Sequence, residues 1–208
     1  MKSRLILASG SPRRKELLEQ IGAEFEILPA KGEEVITSTI PMQVVLELSS
    51  QKAEEVAERY TVSTKGVSTG NGAEEVPVVI LGADTVVAYE NEILGKPKDE
   101  ADAVRMLRML SGNTHSVFTG VTLIIERAGK REKQSFYAET RVTMYPMTEE
   151  QIQRYVATGE PMDKAGAYGI QGKCAAYIEK IAGDYNNVVG LPAALVYQNL
   201  VKSGIEIL

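Results

Sequence analysis

The sequence predicts an α/β fold in which helices flank a mixed central sheet. Three observations carry this prediction: short apolar runs alternate with amphipathic segments, turn-forming residues separate them, and two long strand-like runs follow one another in the second half. The chain has 208 residues, of which 44% are apolar and 25% charged, as in ordinary soluble globular proteins. This length is enough for one large domain or two small lobes, and we expect residues 1–208 to form a single domain.

The first strand and the helix after it form the most informative stretch of the chain. Leu5–Ala8 is a short apolar run typical of a buried strand, and a Ser-Gly-Ser turn leads to a helix predicted over Pro12–Ile21. Arg13 and Arg14 lie in the first turn of this helix, where cations oppose the helix dipole. Because free N–H groups and two arginines favour an anion, we expect a phosphate or carboxylate between them. The alternative is a solvated helix end.

The next predicted elements are a strand, a loop and a longer helix. Phe25–Leu28 is the strand, and the loop after it carries Glu33 and Glu34. Apolar residues at helical spacing predict a helix over Pro41–Arg59. These residues are Val44, Val45, Leu48, Ala53 and Val56. The segment Ser63–Glu75 is rich in glycine, serine and threonine, which predicts an exposed loop.

An acidic residue then follows a strongly apolar strand. Val78–Leu81 predicts a buried strand that ends at Asp84, and Val86–Tyr89 continues it. A carboxylate in this position is costly to desolvate unless another group pairs with it. A functional Asp84 would be a metal ligand or a general base for water, whereas the alternative is an aspartate that caps a turn.

Turn signals and a lysine precede the next helix. Asn91-Glu92 is suited to a hairpin turn, although glycine at the second position would be the stronger signal. Lys96 lies in the sequence Gly-Lys-Pro, where the proline restricts the chain beside a point charge that can bind phosphate. A surface lysine without such a role is the alternative. Asp99–Leu110 has apolar residues on one side and predicts an amphipathic helix.

The second half begins with a predicted hairpin and a capped helix. Val117–Glu126 and Gln134–Tyr145 predict paired strands around a polar turn at Ala128–Lys133. The helix predicted over Thr148–Ala157 begins with a threonine, and Gln151 stands three residues later. This spacing is that of a capping box.

A glycine-rich stretch is the last candidate for a ligand-binding segment. Glycines within Gly159–Gly172 allow the backbone to approach a ligand closely, and Lys164 and Gln171 can contact it. The alternative is a long surface loop, although its apolar residues argue against a mobile one. A strand at Ala175–Ile181 and a helix at Pro192–Lys202 complete the predicted elements.

Composition and residue usage exclude several classes of function. A formal net charge of −5 gives no general attraction to nucleic acid or to anionic membranes. No apolar run approaches the ~20 residues of a membrane span, and the first apolar run is too short for a secretory signal. The single Cys174 excludes an internal disulfide, so we expect a cytoplasmic protein. The single His115 excludes a two-histidine metal site and a Ser-His-Asp triad, and we expect it to form a hydrogen bond at the start of a strand.

Short blocks in a fixed order carry a resemblance to a known family. They are ASGSPRR at 8–14, GEE at 32–34, QKA at 51–53, GADTVV at 82–87, LGKP at 94–97, SGNTHSVFTGV at 111–121, GEPMDKAGAYGIQG at 159–172 and VVGLP at 188–192. From Leu5 to about Leu200, this set closely resembles the Maf family of nucleoside triphosphate pyrophosphatases. The resemblance implies hydrolysis of a nucleoside triphosphate between its α and β phosphates, with a divalent metal. It also implies a homodimer and a two-lobed fold with a cleft, akin to that of the inosine-triphosphate pyrophosphatases.

The resemblance also assigns residues to the site. Asp84 matches the family's proton acceptor, which activates the attacking water. The residues that match the positions setting nucleobase preference are Arg13, Thr85 and Gln171, in a combination similar to the dTTP and UTP branch. The residues that match phosphate-handling positions are Ser9, Arg14, Lys52, Lys96 and Lys164. Our hypothesis is that Glu34 and Asp84 hold Mg²⁺ or Mn²⁺, which prefer carboxylate oxygens. Whether Asp84 is base, ligand or both stays open at this point.

Two other classes of function compete with this interpretation. A nucleotide-sensing regulator of septum formation, without enzymatic activity, is the main alternative, because the family's older name points to cell division. A nucleic-acid binder is disfavoured by the acidic balance and by the absence of tryptophan for base stacking. Within the enzymatic interpretation, canonical and modified pyrimidine triphosphates both remain candidate substrates.

Overall fold

A mixed β-sheet with helices on both faces forms the centre of the computed structural model, which describes residues 3–64 and 76–208. The strands are β1 (Arg4–Leu7), β2 (Phe25–Ile27), β3 (Val78–Tyr89), β4 (Glu92–Leu94), β5 (Thr114–Arg127), β6 (Lys130–Met144) and β7 (Ile178–Ala182). The helices are α1 (Pro12–Gln20), α2 (Pro41–Thr64), α3 (Glu100–Leu110), α4 (Glu149–Val156), α5 (Tyr185–Val189) and α6 (Ala193–Lys202). The predicted fold class is therefore confirmed.

The sheet is split beside its central strand. In the order β2-β1-β3-β5-β6-β7, β1 runs parallel to both its neighbours and the remaining pairs are antiparallel. Strand β5 pairs with residues 78–88 along one edge of β3. On the other edge, β1 pairs with residues 78–81 and β4 pairs with residues 87–89. Among the described strands, none pairs with residues 82–86 on that edge, so a gap opens there.

The two faces of β3 pack against different groups of helices. Ile80 packs with Ala53 and Val56 of α2. Leu81 and Ala83 point to the opposite face, where they join the main core with residues of α1, α3, α4 and α6. This alternation follows from the two-residue period of a strand. It sends the side chains of successive residues in the gap, Asp84 and Thr85, to opposite faces of the sheet.

Two predicted turns differ from the observed ones. The first hairpin turn lies at Glu90 and Asn91, where φ is 47° and 69°, so the predicted Asn91-Glu92 turn is wrong by one residue. Positive φ at both central positions is the requirement of a two-residue hairpin, and asparagine tolerates it better than most residues. The predicted turn at Ala128–Lys133 shortens to Ala128 and Gly129, because regular pairing with β5 continues through the charged residues that follow.

Other boundaries shift where tertiary packing overrides local pattern. The strand predicted over Ala175–Ile181 begins only at Ile178, after a 3-10 turn at Lys173–Tyr177. Helix α2 continues to Thr64, which includes the start of the predicted loop, and residues 65–75 of that loop lie outside the described part of the chain. The capping box of α4 is confirmed: the Gln151 backbone donates to the Thr148 hydroxyl, and the Thr148 backbone donates to the Gln151 side chain. None of the described helices has the length and apolarity needed to cross a membrane.

Candidate active site

A cavity of about 1140 Å³ opens at the gap in the sheet. It collects residues from α1, α2, β3, the segment before α2, the segment after β4 and the glycine-rich stretch. The predicted site residues that line it are Arg13, Arg14, Glu34, Lys52, Asp84, Thr85, Lys96, Lys164 and Gln171. Ser9 is the exception, because it is buried behind Arg14 and does not line the cavity.

A lysine lies between two carboxylates at the wall of this cavity. Lys52 Nζ is 2.5 Å from Asp84 Oδ1 and 2.9 Å from Glu34 Oε1. The side chains of Lys52 and Asp84 are only 18% and 14% exposed, so these charges are partly desolvated. Asp84 therefore has the partner that a carboxylate in a buried strand requires. The arrangement joins the predicted base, the predicted acidic residue and one predicted phosphate-binding lysine in a single cluster.

Arg14 lies on the side of β3 opposite to Asp84, and hydrogen bonds to other residues of the protein hold its side chain in place. Its guanidinium donates to Ser9 Oγ at 3.1 Å, to Thr85 Oγ1 at 3.1 Å and to the Gly190 carbonyl at 2.9 Å. Burial lowers the pKa of Arg14, although the nearby Asp84 charge opposes that effect. Thr85 Oγ1 also lies 2.9 Å from Thr119 Oγ1. Arg14 is thus a fixed positive charge with a defined orientation at the cavity wall.

Arg13 and Lys164 share one carboxylate across the cavity. Arg13 Nη1 donates to Asp163 Oδ2 at 2.9 Å, and Lys164 Nζ donates to Asp163 Oδ1 at 2.6 Å. Burial raises the pKa of Asp163, but the hydrogen bonds from Lys164 and Arg13 outweigh it and lower the pKa to about 2. Asp163 is not among the site residues predicted from the sequence. Its position directly before Lys164, in a stretch already singled out, was the signal available.

Glu160 is a second acidic residue of the cavity that was not predicted as a site residue. Its Oε1 accepts a hydrogen bond from the Tyr155 hydroxyl at 2.9 Å, and its Oε2 accepts one from the Lys173 backbone at 3.0 Å. A Cβ atom at Gly172 would overlap the Glu160 carboxylate, and one at Gly169 would overlap the Lys164 side chain. A side chain at either glycine would therefore force the Lys164 or Glu160 side chain to move.

The rest of the cavity wall combines apolar, aromatic and exposed polar residues. Its apolar part includes Ile36, Val44, Leu48, Val86 and Ile93. Tyr168 lies at the wall, and its hydroxyl is 2.7 Å from Nε2 of the buried His115, which confirms the expected hydrogen bond. Lys96 and Gln171 are exposed at the cavity surface.

The donor set fits a divalent metal that arrives with a polyanionic ligand. Among residues 3–64 and 76–208, no group of three or more His, Cys, Asp or Glu side chains could hold a metal ion. Glu34 and Asp84 nevertheless each direct one oxygen towards the position that the Lys52 ammonium group occupies. Mg²⁺ is commonly held by one or two carboxylates together with phosphate oxygens and water. The two carboxylates meet that requirement.

The fold and the cavity define a class of α/β protein that binds an anionic ligand in a cleft at a split in its central sheet. The model of the family described as Maf-like protein matches residues 4–203, and the chain belongs to this family. A dTTP/UTP pyrophosphatase of Agathobacter rectalis is 61% identical over 99% of this chain and 100% of its own length. Proteins of the same name from Carboxydothermus hydrogenoformans and Lachnoclostridium phytofermentans are 50% and 46% identical, over 97% and 98% of this chain and 99% and 96% of their own lengths.

Proposed function

We propose that the protein hydrolyses nucleoside triphosphates, dTTP and UTP foremost, between the α and β phosphates to give a monophosphate and pyrophosphate. The observation that carries the proposal is the Lys52 ammonium between Asp84 and Glu34, inside a cavity lined by further basic side chains. The names of relatives at 46–61% identity support the same substrates. Removal of non-productive or modified nucleotides from the cellular pool is the physiological role that fits this reaction.

The basic side chains around the cavity match the charge of a triphosphate. Such a group carries about four negative charges, and phosphoryl transfer is catalysed mainly by positioning and charge neutralisation. The candidate phosphate-binding residues are Arg13, Arg14, Lys52, Lys96 and Lys164, and Ser9 acts by orienting Arg14. Lys96 has no ion-pair partner among the described residues, so it is available to the substrate.

Asp84 is the proposed proton acceptor. A water molecule attacks the α-phosphorus, its proton passes to the Asp84 carboxylate, and the bond from the α-phosphorus to the bridging oxygen breaks. Pyrophosphate then leaves with that oxygen, and the neighbouring lysines and arginines stabilise its charge. A divalent metal, Mg²⁺ or Mn²⁺, would be held by Glu34 and Asp84 and would neutralise phosphate charge when bound. In the absence of the substrate, the ion pair with Lys52 orients the Asp84 carboxylate towards the cavity.

Discrimination between nucleobases is assigned to Gln171, with Arg13 and Thr85. The Gln171 amide offers a donor and an acceptor, as the edge of a pyrimidine requires, and it is exposed at the cavity wall. Thr85 acts indirectly, because its hydroxyl is already hydrogen-bonded to Arg14 and Thr119. Loss of one such contact typically costs ~1–3 kcal/mol in discrimination.

The direct test measures pyrophosphate release from canonical and modified nucleotides with Mg²⁺, with Mn²⁺ and without metal. We expect release from dTTP and UTP in the presence of metal, and a fall of roughly 10²–10⁴-fold in the Asp84→Asn variant, because the proton acceptor is lost. Binding of a non-hydrolysable dTTP analogue, measured by calorimetry, should persist in this variant.

Glu150→Gln is the matched control, because it also converts a carboxylate to an amide but lies on exposed α4. Near-normal turnover in Asp84→Asn would remove Asp84 from the reaction. Nucleotide binding by the wild-type protein without release from any nucleotide would favour the regulatory alternative.

Assembly and location complete the proposal. We propose one functional unit, because the cavity draws residues from Ser11 to Gly190. A homodimer follows from the family resemblance, and a cytoplasmic location fits the single cysteine. Burial raises the pKa of the Cys174 thiol to about 12, so this thiol is not a nucleophile.

A further inference from the structure

A polar face of α2 holds the segment that carries Glu34. We call residues 29–38 the strap; it connects β2 to α2 and has no regular secondary structure. Side chains at every fourth position of α2 bond to it: Gln43, Glu47, Gln51, Glu55 and Arg59. Residues four apart are neighbours on a helix surface, so these five form a continuous stripe about 24 Å long that winds partly around α2. The strap follows this stripe in the direction opposite to the helix.

The end of the strap nearest β2 is anchored by a carboxylate and a guanidinium. Glu55 Oε2 accepts hydrogen bonds from the backbone N–H groups of Lys31 at 2.8 Å and Gly32 at 2.9 Å. Arg59 Nη2 donates to the Pro29 carbonyl at 2.7 Å. Hydrogen bonds from the Gly32 and Lys31 backbone lower the pKa of Glu55, although burial opposes the effect. This end therefore stays anchored at neutral pH.

The end of the strap nearest α2 is anchored in the same way. Glu47 Oε2 accepts from the Thr37 backbone at 3.0 Å, and its Oε1 accepts from the Thr37 hydroxyl at 2.7 Å. Gln43 Oε1 accepts from the Ser38 hydroxyl at 2.7 Å. The two anchored ends leave the centre of the strap, which includes Glu34, to be held by a single residue of the stripe.

That residue is Gln51, which pairs with Val35 through two hydrogen bonds. The Val35 N–H donates to Gln51 Oε1 at 3.0 Å, and Gln51 Nε2 donates to the Val35 carbonyl at 2.6 Å. Val35 follows Glu34 directly, and Gln51 precedes Lys52 directly. The Glu34 side chain is 53% exposed, so water screens its half of the ion pair with Lys52, and this pair on its own holds the strap only weakly.

We propose that Gln51 is a positioning residue that fixes the Glu34 carboxylate opposite Asp84. This inference rests on the proposed function, because it takes Glu34 as part of the ligand-binding cluster. The paired amide contacts restrict the backbone on one side of Glu34, so that the carboxylate does not have to be ordered when a ligand binds. Groups held before binding avoid that entropic cost, and small displacements of a supporting segment weaken a site.

The test replaces Gln51 with methionine, which keeps the length of the side chain and removes both hydrogen bonds. Gln43→Met is the matched control, because it makes the same change in the same stripe of α2 at a residue that bonds to Ser38. The probe is Mn²⁺ with a dTTP analogue that has a methylene group between its α and β phosphates. Electron paramagnetic resonance measures free Mn²⁺. Gln51→Met should weaken Mn²⁺ binding roughly three- to tenfold, and Gln43→Met should change it less than twofold.

A double-mutant cycle separates positioning from a general effect on the fold. In a Glu34→Gln background, Gln51→Met should have no further effect on Mn²⁺ binding, because the group that it positions has been removed. Equal effects in both backgrounds, or no effect of Glu34→Gln itself, would overturn the inference. Failure of the wild-type protein to release pyrophosphate would instead contradict the proposed function, and the binding cycle would still report on Gln51.

Discussion

At the scale of single residues, the site depends on the ion pair between Asp84 and Lys52. A carboxylate in a buried strand requires a partner, and Lys52 Nζ lies 2.5 Å from Asp84 Oδ1. The same ammonium group lies 2.9 Å from the Glu34 carboxylate. The three side chains form one cluster because α2 and the strap meet at the gap beside β3.

His115 allows a prediction about pH at the same scale. It is only 2% exposed, and its Nδ1 has no hydrogen-bond partner among the described residues. Burial lowers the pKa of His115 from 6.5 to about 4. Between these values the unfolded chain binds a proton that the native protein excludes, so the free energy of unfolding falls as the pH is lowered from 6.5 towards 4. A shift of this size amounts to roughly 3 kcal/mol.

Urea unfolding at several pH values from 7 to 4.5 measures this effect in the wild type and in His115→Gln. The variant cannot take up the proton, so its stability should fall less steeply and the difference from the wild type should narrow at low pH. Parallel pH profiles for the two proteins would show that His115 does not contribute to the acid sensitivity.

At the scale of elements, α2 combines several tasks along one helix. Its apolar side packs on the sheet, Lys52 enters the cavity, and the polar stripe holds the strap. The sequence predicted the apolar side from helical spacing. The polar stripe was missed, because glutamates and glutamines on a helix are ordinarily solvated and no local signal distinguishes those that bond to a distant segment.

The close approach of α2 to the sheet depends on glycine. A Cβ atom at Gly120 of β5 would overlap the Val45 carbonyl oxygen, and one at Gly82 of β3 would overlap the Ser49 carbonyl oxygen. We expect Gly120→Ala to destabilise the protein by about 1–3 kcal/mol or more, because α2 must move outwards. The same movement displaces Lys52, so turnover should fall as well.

Urea unfolding of Gly120→Ala, together with pyrophosphate release, measures both consequences. Gly10→Ala is the control, because a Cβ atom there would meet only the Pro29 side chain at ordinary contact distance. Its stability should stay within ~0.5 kcal/mol of the wild type. Equal stability of Gly120→Ala and the wild type would contradict the close packing of α2 against β5.

At the scale of the whole molecule, contacts between α1 and segments of the last quarter of the chain form part of the cavity wall. Arg13 of α1 pairs with Asp163 of the glycine-rich stretch, and Arg14 bonds to the carbonyl of Gly190. Asp163 is 63% exposed and occupies two of the basic side chains proposed to bind phosphate. A polyphosphate therefore competes with Asp163 for Arg13 and Lys164.

Replacement of Asp163 by asparagine should strengthen inhibition by inorganic pyrophosphate. We expect the concentration for half-inhibition to fall about three- to tenfold, because each ion pair of the exposed Asp163 contributes at most ~1 kcal/mol and the replacement breaks two of them. Glu92→Gln is the control, since this carboxylate lines the cavity but pairs with Arg105. Unchanged or weaker inhibition would mean that Asp163 serves only to hold Arg13 and Lys164 in place.

The sequence by itself determined the fold class, the capping box of α4, the turn from β1 into α1 and nine of the residues that line the cavity. These features follow from periodicity, capping chemistry and short motifs, which act over a few residues. Only the tertiary structure decided that the sheet splits beside Asp84, that Ser9 lies behind Arg14, that Asp163 pairs with Arg13 and that α2 holds the strap. Such contacts join residues far apart in the chain, and they depend on strand order and register, which local patterns do not specify.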